Sequence, residues 1–148
     1  MDIRKARIDD LSRIAEIFIF NNRINYFPIF NDVQYSFKEL QVVSFIDHYL
    51  KEEIQNLYVF DDGIIKGFIQ INNIEVCKLY VDIFFQNQGI GHKLIEYAIQ
   101  EHYVNYLWAL EKNKKAIHFY QKHGFLLTGE KQFEEGTTEY LVKLKRKI

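Results

Sequence analysis

The sequence is short of the residues that cross-link or break a chain: Cys77 is its only cysteine and Pro28 its only proline in 148 residues. A lone cysteine forms no intrachain disulfide, which excludes a small disulfide-stapled scaffold of the secreted kind. No Pro/Gly/Ser-rich linker, internal repeat or low-complexity tract divides the chain, so one domain over residues 1–148 is expected. No apolar run approaches the ~20 residues that cross a bilayer. Met1-Asp2-Ile3-Arg4-Lys5 lacks the apolar stretch of a signal peptide. These absences point to the cytoplasm and away from a membrane. A surplus of one charge is missing too: 19 Lys+Arg stand against 20 Asp+Glu, a net −1. Proteins that grip nucleic acid carry a basic excess to displace counterions, so no bulk nucleic-acid partner is expected. The basic end, Lys143 to Lys147, reads as a solubilising strand end. The five histidines show no metal-ligand spacing such as His-Glu-x-x-His, so no metal site is expected.

What the chain does have is apolar bulk. Hydrophobic residues make up 48%, with 13 Phe and 10 Tyr, enough for a sizeable core at this length. Residues 3–8 alternate as a strand, and Asp9 or Asp10 is placed to cap a helix carrying Leu11, Ile14, Ala15 and Phe18 at helical spacing. The aromatic stretch from Tyr26 to Phe30, around Pro28, reads as a loop. A second helix is expected over 37–52, with Leu40, Val43, Ile46 and Leu50 on one side. Strands follow at 56–60, 64–71 and 74–81, separated by Asp61-Asp62-Gly63 and Asn72-Asn73 turns. After Gly91 the pattern turns helical, then gives a strand at 106–110 and a short helix capped by Asn113 and ended near His123-Gly124. Strands at 125–128 and 138–144 flank a Glu134-Glu135-Gly136 turn. Hairpins and crossovers together imply an α/β fold with strands of mixed direction.

The most informative segment is Gln86-Asn87-Gln88-Gly89-Ile90-Gly91, between an apolar strand and an amphipathic helix. The first turn of a helix offers unpaired N–H groups and the positive end of the helix dipole, and glycines let an anion approach the backbone. The loop lacks the Gly-Lys-Ser/Thr of a P-loop, and Leu94 stands where a dinucleotide fingerprint has its third glycine. A plain strand-to-helix turn is the alternative for this segment.

Taken with the preceding Leu79-Tyr80-Val81-Asp82, the Gln-x-x-Gly-x-Gly loop resembles the acetyl-CoA-binding motif of the GNAT N-acetyltransferase superfamily. Asn113-Lys114-Lys115-Ala116-Ile117-His118-Phe119-Tyr120-Gln121-Lys122-His123-Gly124-Phe125 is similar to that family's second landmark. The likeness is good over residues 64–144, whereas the first sixty residues share only a strand–helix–helix order. The resemblance implies a mixed, mostly antiparallel central sheet flanked by helices on both faces, with a splayed strand pair for the CoA arm. It implies that the loop N–H groups of about Gln88, Gly89, Ile90, Gly91 and His92 hold the pyrophosphate, with Gln86 and Asn87 also among the cofactor-binding residues. It further implies that the backbone of Leu79 and Val81 pairs with the pantetheine arm, and that Asn113 and Ala116 border its path.

The reaction the resemblance implies is transfer of an acetyl group from acetyl-CoA to a primary amine of a small molecule or peptide, by direct attack in a ternary complex. Family members place a tyrosine where Tyr120 stands, and a phenol with a pKa near ~10 is able to protonate a departing thiolate; a core aromatic is the plainer reading. Glu75 matches the position of an acidic base in some protein-acetylating members. A carboxylate between Ile74 and Val76 is expected to be partly desolvated, which raises its pKa; a solvated strand end is the other reading. Cys77 reads as a small apolar strand residue. Tyr26, Phe27, Phe30, Tyr35 and Phe37 either line an acceptor site or pack in the core, and packing is expected for most. Two other functions stay open: a catalytically silent CoA-binding regulatory module, and a toxin-like acetyltransferase of aminoacyl-tRNA. Oligomeric state is open as well, a homodimer included.

Overall fold

The computed structural model describes residues 2–147. They gather into two compact units: the chain up to Gln70 with Lys78–Ile95, and Ile71–Cys77 with Glu96 onward. Among the described residues no helix is long and apolar enough to cross a membrane.

The first unit begins with β1 (Ile3–Lys5) and, after a 3-10 turn at Ile8–Asp10, enters α1 (Leu11–Asn25). Asp10 holds the N-cap position, but its carboxylate makes no bond to α1. It accepts instead from the Arg7 N–H at 2.7 Å and from both terminal guanidinium nitrogens of Arg4 at 2.8 and 3.1 Å. Arg4 reaches on to Asp61 at 3.0 and 3.2 Å. One guanidinium therefore ties β1 to the start of α1 and to Asp61, at the end of the next strand in the chain. The Arg4 hydrogen bond holds the Asp10 carboxyl below the usual carboxylate range. For Asp61 the larger cause of the same downward shift is the Gly63 backbone N–H, with Arg4 second.

After α1 the chain makes α2 (Phe27–Phe30), a single turn where the aromatic sequence suggested a loop. Pro28 is accommodated because it falls in the first turn, where a missing N–H breaks no helical bond. The helix expected over 37–52 is broken. A π-helical turn (Gln34–Glu39) is followed by α3 (Val42–Phe45), a second π-helical turn (Ile46–Leu50), α4 (Lys51–Glu53) and a 3-10 turn (Ile54–Asn56). The chain is extended at Leu40 and Gln41, so the anticipated face is not continuous. Leu40 and Leu50 are buried, but Val43 is 71% exposed. The carbonyls of Ser36 and Leu40 at this break accept from the Arg23 side chain at 3.0 and 3.3 Å. Arg23 also lies over the Phe37 ring. Phe37 and Tyr35 are exposed and the other three aromatics of the group are half-buried, so core packing does not explain them.

Strands β2 (Leu57–Asp61), β3 (Ile65–Asn72) and β4 (Glu75–Val81) complete the order β1-β2-β3-β4. β1 pairs with β2 and β2 with β3, both antiparallel. Leu11, Ile14, Ala15 and Phe18 of α1 pack with Leu50, Leu57, Val59 and Phe68 as the core of this unit.

In the second unit the start of β4 runs parallel to β5 (Tyr106–Leu110), with a ladder of two residue pairs, Glu75↔Tyr106 and Val76↔Leu107. β5 is antiparallel to β7 (Tyr140–Arg146), and β7 to β6 (Phe125–Phe133). Two helices belong with these strands: α5 (Ile90–His102), which starts in the first unit, and α6 (Lys114–Lys122). β6 is longer than expected, because its register shifts between Leu127 and Lys131 around Gly129 (φ 89°) and pairing resumes beyond. A glycine supplies the left-handed conformation that such a bulge needs. With its seven strands mostly antiparallel, the fold is mixed α/β, as expected from the sequence.

Asp10→Asn should lower stability at pH 6 by about 1–3 kcal/mol, since it removes a charge-assisted acceptor. The folded Asp10 pKa lies below its unfolded value of about 3.9. Its contribution is therefore full above the unfolded value and is lost as pH falls through the folded one. Urea unfolding of both proteins at pH 6 and pH 3 should show the gap narrowing at pH 3; an undiminished gap there would remove the ionised carboxylate from the explanation.

Candidate functional site

The turn from β4 into α5 is anchored before it reaches its glycines. Asp82 ends the strand with its N–H donated to the Lys66 carbonyl at 2.8 Å. One of its carboxylate oxygens accepts from Arg13 of α1 at 2.7 Å, the other from the Phe84 N–H at 2.8 Å. The preceding carbonyl, that of Val81, accepts from Asn21 at 2.9 Å and from Gln86 at 3.2 Å. Gln86 also donates to the Asn21 side-chain oxygen at 3.2 Å, and Asn21, nearly fully buried, donates to Ile17 O one turn back on α1. The Gln86 amide thus faces inward and clamps the loop to β4 and α1. Because Asp82 points its N–H at β3, strand alternation turns the N–H groups of Leu79 and Val81 toward the other edge of β4.

Beyond this clamp the chain is exposed at Asn87, Gln88 and Gly89. Asn87 (φ 63°) and Gly89 (φ 82°) both take the left-handed conformation. The first helical bond of α5 runs from Lys93 N–H to Gly89 O at 3.0 Å, so the N–H groups of Ile90, Gly91 and His92 precede the intrahelical ladder. His92 is exposed, whereas the Ile90 side chain is buried. Any contact Ile90 makes with an anion is therefore through its backbone. An exposed helix N-terminus with donors aimed outward is suited to an anionic group.

What lets α5 start here is Gly67 on β3. A Cβ at this position would meet Tyr80 O at 3.0 Å and the side chains of Ile90 and Leu94 at 3.2 Å each. Glycine is the residue that permits this close approach of helix to strand. Gly67, Asn21 and Arg13 were missed in the sequence. A glycine inside a strand pattern was the available signal for the first, but the other two are polar residues on a helix with no spacing that marks them.

In the second unit Glu75 is half-buried at the head of the two-residue ladder, and its carboxylate accepts from the Tyr106 hydroxyl at 3.4 Å. Burial first, and the Glu75 charge second, push the Tyr106 phenol above its ordinary pKa. Of the two apolar flanks expected around Glu75, Val76 is buried but Ile74 is 44% exposed. Asn113 caps α6, its side-chain oxygen accepting the Ala116 N–H at 3.2 Å. Ala116 is half-buried. Tyr120 is 9% exposed, with its ring edge-on to Phe119 and Phe125.

A family model for the acetyltransferase (GNAT) domain matches residues 32–143, and the chain belongs to that family. Among solved structures, the apo form of YjaB from Escherichia coli superposes with a TM-score of 0.80 at 22% identity, over 97% of this chain and 95% of that one. PaiA N-acetyltransferase from Thermoplasma acidophilum, solved with coenzyme A, gives 0.67 at 20% identity over 97% of each chain. YncA from Salmonella typhimurium, solved with its cofactor acetyl-CoA, gives 0.68 at 19% identity over 97% of this chain and 91% of that one. At these identities the likeness is one of fold.

Gly67→Ala should destabilise the protein by about 1–3 kcal/mol, the usual cost of forcing extra volume into a packed site, because backbone as well as side chains stand in the way. Urea denaturation measures this. A change under about 0.5 kcal/mol would show that α5 is free to move off β3.

Proposed function

We propose that the protein is an N-acetyltransferase that moves an acetyl group from acetyl-CoA to a primary amine by direct attack in a ternary complex. The observation that carries this reading is the exposed turn at Asn87–Gly89 opening α5, with the Ile90–His92 N–H groups ahead of the helical ladder. Family membership supplies the class of chemistry. Bound acetyl-CoA supplies an electrophilic thioester carbonyl and a thiolate leaving group. The loop backbone from Gln88 to His92 would take the pyrophosphate, with Gln86 keeping the loop in shape from within. The outward N–H groups of Leu79 and Val81 would hold the pantetheine arm and polarise the carbonyl. Asn113 and Ala116 would border that arm, Asn113 mainly by fixing the first turn of α6.

In this reading Tyr120 is the acid that protonates the leaving thiolate, and its buried ring would hold the phenol in a fixed position. Glu75 is the base, taking the amine proton through water while Tyr106 fixes one carboxylate oxygen. Attack forms the amide bond and breaks the thioester. The two proton transfers leave a neutral amide and free CoA thiol.

Acetyl-CoA should raise the melting temperature, since a ligand of the folded state stabilises it by mass action, and NAD and ATP should do much less. No shift at millimolar acetyl-CoA would end the donor assignment. With an acceptor found by following thiol release, Tyr120→Phe should lower kcat by roughly 10²-fold at nearly unchanged acetyl-CoA affinity. Wild-type kcat in the folded variant would return Tyr120 to packing alone.

Glu75→Gln keeps the shape of the side chain and removes its proton acceptor. Activity should fall most near neutral pH and recover as pH rises, because more of the amine is then already neutral. Profiles of kcat/KM against pH that coincide for the two proteins would leave water as the base.

A further inference from the structure

The first unit contains two polar groups that its own fold leaves uncompensated, one a helical turn from Phe18 and the other over its ring. Phe18, Asn22 and Tyr26 follow one another at four-residue intervals along α1, so they share a face. Phe18 meets the Tyr80 ring edge-on at 5.2 Å, and the Tyr26 and Tyr80 hydroxyls are 3.1 Å apart. Asn22 lies between Phe18 and Tyr26 in that sequence and is 6% exposed, and its side-chain oxygen is buried without a hydrogen-bond partner. Buried polar atoms are almost always paired, and one that is not calls for an explanation.

Lys78 is the second group. It precedes Tyr80 by two residues on β4, so both side chains leave the same face of the strand. Its ammonium lies 4.5 Å from the Tyr49 ring centre and 5.4 Å from that of Phe18, and it donates to the Tyr49 hydroxyl at 3.0 Å. The Phe45 ring stacks between those of Phe18 and Tyr49. Of the other half-buried cations of the unit, Arg4, Arg13 and Lys66 each face a carboxylate at 3.0 Å or less, and Arg23 is bonded to two backbone carbonyls. Among the described residues no carboxylate is paired with Lys78. Glu53 is two hydrogen bonds further off: Tyr49 donates to Gln70, and Gln70 to Glu53, each at 2.8 Å. That polarity turns the oxygen lone pairs of Tyr49 toward Lys78. One of three ammonium donors is thereby used, and the aromatic faces hold the charge in place without neutralising it.

Resting on the acetyltransferase reading above, we propose that Lys78 and Asn22 select the acceptor, which is a small amine that also bears a carboxylate. Lys78 takes the carboxylate, Asn22 accepts an N–H of the amine end, and the body of the acceptor lies along Tyr80. The two residues are specificity determinants and take no part in the proton transfers.

The test follows thiol release from acetyl-CoA with each uncharged-side-chain amino acid paired against its own α-amide, which keeps the amine and loses the charge. The wild-type protein should favour the free carboxylate in at least one pair. Lys78→Met keeps the apolar stem and should raise KM for the acid about tenfold or more, the weight of a hydrogen bond to a charged group. Its KM for the amide and its kcat should be unchanged. Asn22→Leu should raise KM for both members of the pair without loss of thermal stability, since it removes an unpaired buried polar atom. Equal use of acid and amide by the wild-type protein, or a preference that survives in folded Lys78→Met, would overturn the proposal while leaving acetyl transfer intact. If no amine releases thiol, the same pairs are titrated into wild-type and Lys78→Met protein by calorimetry with CoA present. Acid-selective binding that Lys78→Met abolishes would then support the site without the activity, and equal binding or none would overturn it.

Discussion

The peptide joining Val81 to Asp82 is the point on which the exposed turn before α5 depends. Its carbonyl is held by two side-chain amides, Asn21 and Gln86, and its N–H by the Lys66 carbonyl. The Asp82 side chain adds an ion pair to Arg13 and a bond to the Phe84 N–H. With its two polar groups fixed from α1, β3 and the loop itself, this peptide cannot rotate without breaking several hydrogen bonds at once. The direction in which β4 ends, and hence the orientation of the outward N–H groups one and three residues earlier, follows from that restraint. Little of the restraint comes from the exposed residues that would meet a ligand. The clamp is internal, and Asn87, Gln88 and Gly89 are left free to present backbone.

A second constraint acts on the helix that the turn opens. Ile90 and Leu94 face into the core, and Gly67 is where β3 gives them room. The same short segment thus buries side chains on one side and offers N–H groups on the other. That division follows from helix geometry: the donors at a helix start point along the axis, whereas the side chains radiate from it. The core fixes the position of α5 through side chains, so the N–H groups at its start are placed without being used.

Legibility in the sequence followed the range of the interactions. The Gln86–Gly91 loop, the Asn113 cap and the turns at Gly63 and Gly136 were readable because each depends on neighbours in the chain. The burial of Leu11, Ile14, Ala15 and Phe18 was readable from helical spacing. The helix expected over 37–52 was not, because its break is stabilised by Arg23, a residue on another element that takes the carbonyls the break releases. Asp10 shows the same limit. Its position as a cap is local, but Arg4 and the Arg7 N–H claim its carboxylate. At the site, the residue types expected to touch a ligand were visible as a motif. The residues that hold them, Asn21, Arg13 and Gly67, act across tens of positions and leave no periodic trace.

The aromatic residues of the first unit hold cations that, among the described residues, have no opposite charge beside them. The pattern suggested that most of those near Pro28 were packing material, yet Tyr35 and Phe37 are exposed and Arg23 rests on Phe37. Phe18, Phe45 and Tyr49 form a stacked run that carries the Lys78 ammonium. In both places a cation lies on an aromatic face, an arrangement that tolerates a charge without an opposite charge beside it. The consequences differ because the cations differ. The Arg23 guanidinium has donors enough to bridge two backbone carbonyls and so completes a broken helix. The Lys78 ammonium is a compact point charge on a strand, bound to one neutral hydroxyl. A planar fork serves structure here, while a point charge keeps its field directed at whatever anion comes within reach.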